Sequence, residues 1–177
     1  HIILEPFGRN TAPAIAIAAL KSLENYQNAN LLILSSDHFI NENEKFHSAI
    51  RKGVEFSEYG RLVTFGVVPT SPDTGYGYIE SDTPLNENNL QGLNIKRFIE
   101  KPVLNLAKKF ILDKKFTWNS GIFLFKAKTI INEIKNLNPE IFKACEKSFC
   151  SSIKDLDFQR IDEKSFEFCP NISIDNA

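Results

Sequence analysis

Leu31-Leu32-Ile33-Leu34-Ser35-Ser36-Asp37-His38 is the stretch from which the rest of the chain is read. Four successive branched apolar residues predict a strand buried on both faces, the kind found in parallel sheets covered by helices on each side. The apolar run stops at two serines and a carboxylate. In open α/β sheets ligands bind in the crevice beyond the carboxyl ends of the strands, so Asp37 stands where that architecture puts chemistry. Ser35, Ser36 and Asp37 are equally ordinary turn and helix-cap residues, and position alone leaves both readings open.

Upstream, His1 to Leu4 predicts a short strand. Pro6 and Gly8 then make a turn, and Asn10 or Thr11 can cap a helix that tolerates Pro13 in its first turn. That helix continues from Ala14 to Tyr26, and its start offers amides to an anion or a base edge, or is simply a cap. Downstream, Asn41 and Glu44 have capping spacing. Phe46, Ala49, Ile50, Gly53 and Val54 give the apolar face of a second helix, and Arg61 to Val68 predicts the next strand. The alternation of strand and helix argues for right-handed parallel crossovers in one sheet.

Thr74-Gly75-Tyr76-Gly77-Tyr78 follows a proline-rich break. Two glycines one residue apart permit a tight turn or close approach to a ligand, and the sequence alone does not choose. Asp82 to Gly92 is polar and predicts a loop or hairpin tip. Ile95 to Pro102 predicts a strand ending in Glu100 and Lys101. Neighbours on a strand face opposite sides, so a ligand that used both would require a bend there, with which Pro102 agrees; surface charge is the plainer reading. Leu104 to Lys115 predicts a helix. Trp118-Asn119-Ser120-Gly121 reads as a polar bend, or as hydrogen-bonding groups for a polyol, before a buried strand over Ile122–Phe125. Helices are expected over Ala127–Leu137 and 139–149. Short strands are expected over Ser165–Cys169 and Ile172–Ile174.

The 177 residues suit one domain, and 42% hydrophobic with 24% charged residues suits a soluble one. A net charge of -1 gives no footprint for nucleic acid and no polybasic membrane patch. No stretch approaches the roughly 20 apolar residues of a membrane span. The three cysteines have no metal-ligand spacing and read as reduced thiols of a cytoplasmic protein, a Cys145–Cys150 link being the less favoured alternative. The chain has no methionine and opens at His1, which reads as a piece of a longer protein.

Taken in order, EPFGRNTAPAIA, LLILSSDHF, LVTFGVVPTSPDTGYGYIE, FIEKP, WNSGIFLF and the late SID resemble the nucleotide-sugar pyrophosphorylases, and closely the bacterial mannose-1-phosphate guanylyltransferases. The resemblance runs from Leu4 to Asp175, and GRNTAPA points to guanosine and mannose. It implies a Rossmann-like α/β/α sandwich with a mostly parallel central sheet, in a single domain over residues 1–177. It implies transfer of GMP from GTP to mannose 1-phosphate, giving GDP-mannose and pyrophosphate, with Mg2+ as cofactor. Position by position, Asp37 and Asp175 resemble the metal-binding aspartates, and Arg9, Asn10 and Thr11 the segment that reads guanine. Tyr76, Gly77, Glu100 and Asn119 resemble the sugar-binding groups, and Lys101 the cation for the sugar phosphate.

Three departures stand beside the match. The family's glycine-rich phosphate loop, which precedes this region, is not in the sequence, nor is the C-terminal isomerase domain of bifunctional relatives. The expectation is therefore a fold truncated at its N-terminus and little or no activity from the isolated chain. Asn176 stands where an aromatic is usual. A non-catalytic binding module of this fold and a nucleotidyltransferase for another sugar nucleotide are the competing readings. Homo-oligomerisation is left open.

Overall fold

A computed structural model describes residues 1–86 and 91–177. The loop expected over Asp82–Gly92 therefore lies partly outside the described residues. The chain divides into two compact units, one made of His1–Leu31 with Lys126–Ala177 and the other of Leu32–Phe125.

The first, discontinuous unit contains β1 (Ile2–Leu4), α1 (Thr11–Asn25), α4 (Ala127–Leu137), α5 (Pro139–Cys150), β7 (Ile153–Asp155), β8 (Phe158–Arg160) and α6 (Glu163–Phe166). Helix α1 carries alanine and isoleucine at nearly every early position, and Ala12, Ile15, Ala16, Ile17 and Ala19 are all buried. Small side chains on several faces let it pack against both α4 and α5. Those helices answer with narrower stripes at helical spacing: Ala127, Ile130, Ile131 and Ile134 on α4, and Ile141, Phe142, Cys145 and Phe149 on α5. Each fully buried isoleucine or phenylalanine contributes about 1.5–3 kcal/mol.

Strand β1 pairs in parallel with β8, Ile2 opposite Phe158, and β8 pairs antiparallel with β7. The segment Ser165–Cys169, expected as a strand, instead begins within α6. The Asp162 carboxylate accepts the Ser165 amide at 2.9 Å and starts that helix. This local cap outweighs the alternating apolar pattern of Phe166, Glu167 and Phe168. Ile172–Ile174 is not a strand either, because its backbone groups bond to the start of α1 rather than to a ladder.

The second unit contains α2 (Asn43–Glu58), β3 (Val63–Val67), β4 (Tyr78–Ser81), β5 (Ile95–Ile99) and α3 (Leu104–Phe110), with most of β6 (Phe116–Lys126). The sheet runs in the order β2-β6-β4-β5, β2 being Asn30–Ile33, and β3 also pairs with β6. Strand β6 extends back through Trp118–Gly121, so that segment is strand rather than a bend leading into one; Gly121 sits within it at φ 67°. Tyr78, Ala107, Phe110 and Phe116 form a core with Ile99 and Trp118 against it, and the Phe110 and Phe116 rings stack at 4.0 Å.

The α/β class is as expected. The ladders with a described register are one parallel, β1–β8, and four antiparallel: β3–β6, β4–β5, β4–β6 and β7–β8. Among these ladders β1–β8 is the parallel one, and β4 lies between β5 and β6, antiparallel to both. β1 belongs to a different sheet from β2 and β3, so the alternating elements do not all feed one sheet. β2 is half-buried rather than enclosed, since it ends the strand order and has a neighbour on one side only among the described residues.

Candidate functional site

In the second unit, register gathers the candidate residues. Tyr78 lies opposite Ile99 on β5 and opposite Trp118 on β6. One step further along both antiparallel ladders, Gly77 faces Glu100 on one side and Asn119 on the other. The Asn119 amide donates to the Gly77 carbonyl at 2.8 Å. A Cβ on Gly77 would stand 3.1 Å from Glu100 Oε2 and 3.7 Å from the Asn119 Cβ. The glycine therefore leaves room for two polar side chains to converge over the middle strand.

Lys101 follows with φ 35°, the bend that an adjacent carboxylate and ammonium require to serve one place. Its Nζ lies 3.7 Å from Glu100 Oε1, and both side chains are exposed. In solvent such a pair contributes at most about 1 kcal/mol to stability, so both groups are accessible to a ligand. Tyr76 is 51% exposed, with its ring 5.1 Å from that of Trp118. The loop carrying Tyr76 is pinned by groups that local pattern did not single out. The buried Tyr78 hydroxyl donates to the Asp73 carbonyl at 2.8 Å, and Asp73 Oδ1 accepts the Gly75 amide at 2.7 Å. The Pro-Asp-x-Gly turn chemistry around Asp73 was the available signal.

Asp37 lies beyond the end of β2 in a turn, exposed. The Ser35 hydroxyl donates to its Oδ1 at 2.5 Å. That bond, with the backbone amide of Asp37 and the nearby His38, holds its carboxyl below the usual carboxylate range. Asp37 is thus an ionised hard-oxygen donor open to solvent.

In the first unit, Arg9, Asn10 and Thr11 form the entry to α1. Asn10 has φ 67° and ψ -167°, a region populated almost only by glycine, and its side-chain oxygen accepts the Thr11 amide at 2.9 Å. The Arg9 guanidinium donates to the Glu167 carbonyl and lies over the Phe7 ring at 5.6 Å. The Ala12 amide donates to the Ile172 carbonyl at 3.2 Å, and the Ile174 amide to the Thr11 hydroxyl at 2.9 Å. Two of the first amides of α1 are therefore occupied by the chain itself and do not await an anion. These bonds bring the segment before Asp175 onto Arg9–Thr11. Asp175 itself is half-buried in a turn closed by the Asn176 and Ala177 amides on the Ser173 carbonyl.

Among the described residues no cluster of three or more His, Cys, Asp or Glu side chains is arranged to hold a metal ion. No helix of the described residues is long and apolar enough to cross a membrane.

Comparison with known proteins follows the same lines. The nucleotidyl transferase family model matches residues 1–164. Mannose-1-phosphate guanylyltransferase RfbM of Salmonella typhimurium is 48% identical over 179 residues, covering 100% of this chain and 37% of the relative. The chain thus spans about 37% of the length of such curated relatives. A crystal structure described as mannose-6-phosphate isomerase from Helicobacter pylori superposes with a TM-score of 0.82 at 38% identity, over 98% of this chain and 65% of that one. Another, described as mannose-1-phosphate geranyltransferase from Thermus thermophilus, gives 0.81 at 30% identity, over 97% and 47%.

Proposed function

Because the chain belongs to the nucleotidyl transferase family, we propose that residues 1–177 form a single nucleotidyltransferase domain of the kind that makes GDP-mannose from GTP and mannose 1-phosphate, with little or no activity from the isolated chain. The observation that carries this reading is the convergence of Glu100 and Asn119 over Gly77, with Lys101 beside them. A carboxylate and a carboxamide side by side suit paired sugar hydroxyls, and an adjacent ammonium suits the phosphate on the anomeric carbon. Tyr76 offers an exposed ring for the apolar face of the sugar.

In this reading Arg9, Asn10 and Thr11 recognise guanine. The sugar phosphate oxygen attacks the α-phosphorus of GTP in line, and the bond to pyrophosphate breaks. No covalent enzyme intermediate is needed, so the chain's residues contribute position and charge. Lys101 holds the attacking phosphate and lowers the repulsion between two anions. Glu100 and Asn119 fix the sugar so that its phosphate has one orientation.

Asp37 and Asp175 are the proposed magnesium ligands. Each would contribute as a carboxylate, since magnesium is commonly held by one or two carboxylates together with substrate phosphates rather than by an all-protein cage. When bound, magnesium neutralises phosphate charge. The ionised state of Asp37, secured by Ser35, is what its part of the binding demands.

Calorimetry with GDP-mannose, UDP-glucose and a thymidine-diphosphate sugar tests the assignment. GDP-mannose is expected to bind most tightly, with the preference lost on Arg9→Ala. Equal affinity for the three nucleotides would refute the guanosine reading.

A further inference from the structure

Cys145 on α5 and Cys169 just after α6 place their sulfur atoms 3.9 Å apart in the core of the first unit. Cys145 is fully buried and Cys169 is 2% exposed, whereas Cys150 is exposed at the end of α5. We propose that Cys145 and Cys169 form a dithiol modification site that closes to a disulfide when the protein meets a peroxide.

The two thiols are not equivalent. Cys145 has two acceptors in reach, the Pro13 carbonyl at 3.8 Å and the Cys169 sulfur. Donation from Cys145, aided by the positive charge of Arg9, holds the Cys169 thiol below its ordinary value against burial and the nearby Glu5. The same hydrogen bond, together with burial, pushes the Cys145 thiol up. Cys169 is therefore the nucleophile and Cys145 the partner that keeps its proton.

The Cys169 thiolate attacks one oxygen of hydrogen peroxide. The S–O bond forms as the O–O bond breaks, and the departing hydroxide takes a proton to become water. The Cys145 sulfur then attacks the resulting sulfenic acid. The S–S bond forms, the S–O bond breaks, and the leaving hydroxyl carries away the Cys145 proton as a second water. Two thiols lose two electrons and the peroxide gains them.

Closure requires the sulfurs to approach from 3.9 Å to about 2.05 Å. Cys169 is the side that moves. It begins a run to Ala177 without helix or strand, so it opens and shifts more readily than a residue within the 12-residue α5. Glu167, whose carbonyl receives Arg9, lies two positions before it. The disulfide would tie this segment covalently to α5.

Peptide mapping of the folded full chain after hydrogen peroxide treatment and alkylation tests the site. Trypsin cleavage after Lys143, Lys147, Lys154 and Lys164 separates the three cysteines into different peptides. The expected product is Ala144–Lys147 joined to the peptide beginning at Ser165. It should be two hydrogens lighter than the pair, be released by dithiothreitol, and form unchanged in Cys150→Ser. Recovery of both peptides with alkylated thiols while Cys150 is oxidised would overturn the proposal, as would a Cys145–Cys150 link.

Discussion

Ile174 donates its backbone N–H to the Thr11 hydroxyl at 2.9 Å, joining positions 163 apart in the chain. The bond holds the residue preceding Asp175 against the entry of α1. Thr11→Val keeps the shape and removes the acceptor. It is expected to cost about 1 kcal/mol, or about fivefold in GDP-mannose affinity by calorimetry. Thr11→Ser should bind like the parent; a valine variant that also does so would remove the coupling.

Asn10 occupies backbone angles that cost a non-glycine residue about 1–3 kcal/mol. Asn10→Gly relieves this while giving up one exposed cap bond worth a few tenths of a kcal/mol. The urea midpoint should therefore rise. Affinity for the guanosine nucleotide should fall as the carboxamide is lost. A lower midpoint would mean that the conformation stores no strain.

Gly77→Ala places a methyl group 3.1 Å from Glu100 Oε2. The carboxylate is the exposed end of a flexible side chain and can give way, so stability should change by less than about 1 kcal/mol. The displaced Glu100 should nevertheless weaken mannose 1-phosphate binding by about tenfold, within the range of one charged hydrogen bond. Titration with GTP should be unaffected, and a parallel loss for both ligands would point to general misfolding.

Ser35→Ala removes the main cause of the lowered Asp37 pKa. A carboxylate with a lowered folded pKa favours the charged form. Its contribution to stability is present above the unfolded value of 3.8 and is lost as pH falls through the lower folded one. Without Ser35 the Asp37 carboxyl should titrate at higher pH. Loss of magnesium binding on acidification should then begin at higher pH than in the parent. Carboxyl chemical shifts followed by NMR report the titration directly, and an unchanged Asp37 curve would contradict the assigned cause.

Local pattern revealed the elements better than their partners. Glu100-Lys101-Pro102 implied a bend only for a ligand that used both charges, with surface charge the plainer reading; the backbone does bend at Lys101, at φ 35°. What GYG, EKP and WNSG did not disclose separately was that one register sets Gly77 between Glu100 and Asn119; that information lives in pairing between strands. Phe166, Glu167 and Phe168 alternate like a strand, and only the bond from Ser165 to Asp162 makes the region helical. Ile172–Ile174 is apolar enough for a strand, but its hydrogen bonds go to α1, some 160 residues earlier. The apolar run at Leu31–Leu34 announced a strand correctly, yet its half-buried state depends on its end position in the sheet. The roles of Asp37 and Asp175 came from the resemblance, since neither sits in a metal-binding cluster of the described residues.

The discontinuous unit sets an order on biosynthesis. Leu32–Phe125 is continuous and has its own core, so its contacts can form while the ribosome is still at work. Helix α1 has no such option, because α4 and α5, which cover it, are made only after the whole of the other unit. At about 5–20 residues per second, its apolar alanine and isoleucine surface waits on the order of ten seconds for them. During that interval it is a natural client for a chaperone, and the nascent chain is at its most vulnerable to aggregation.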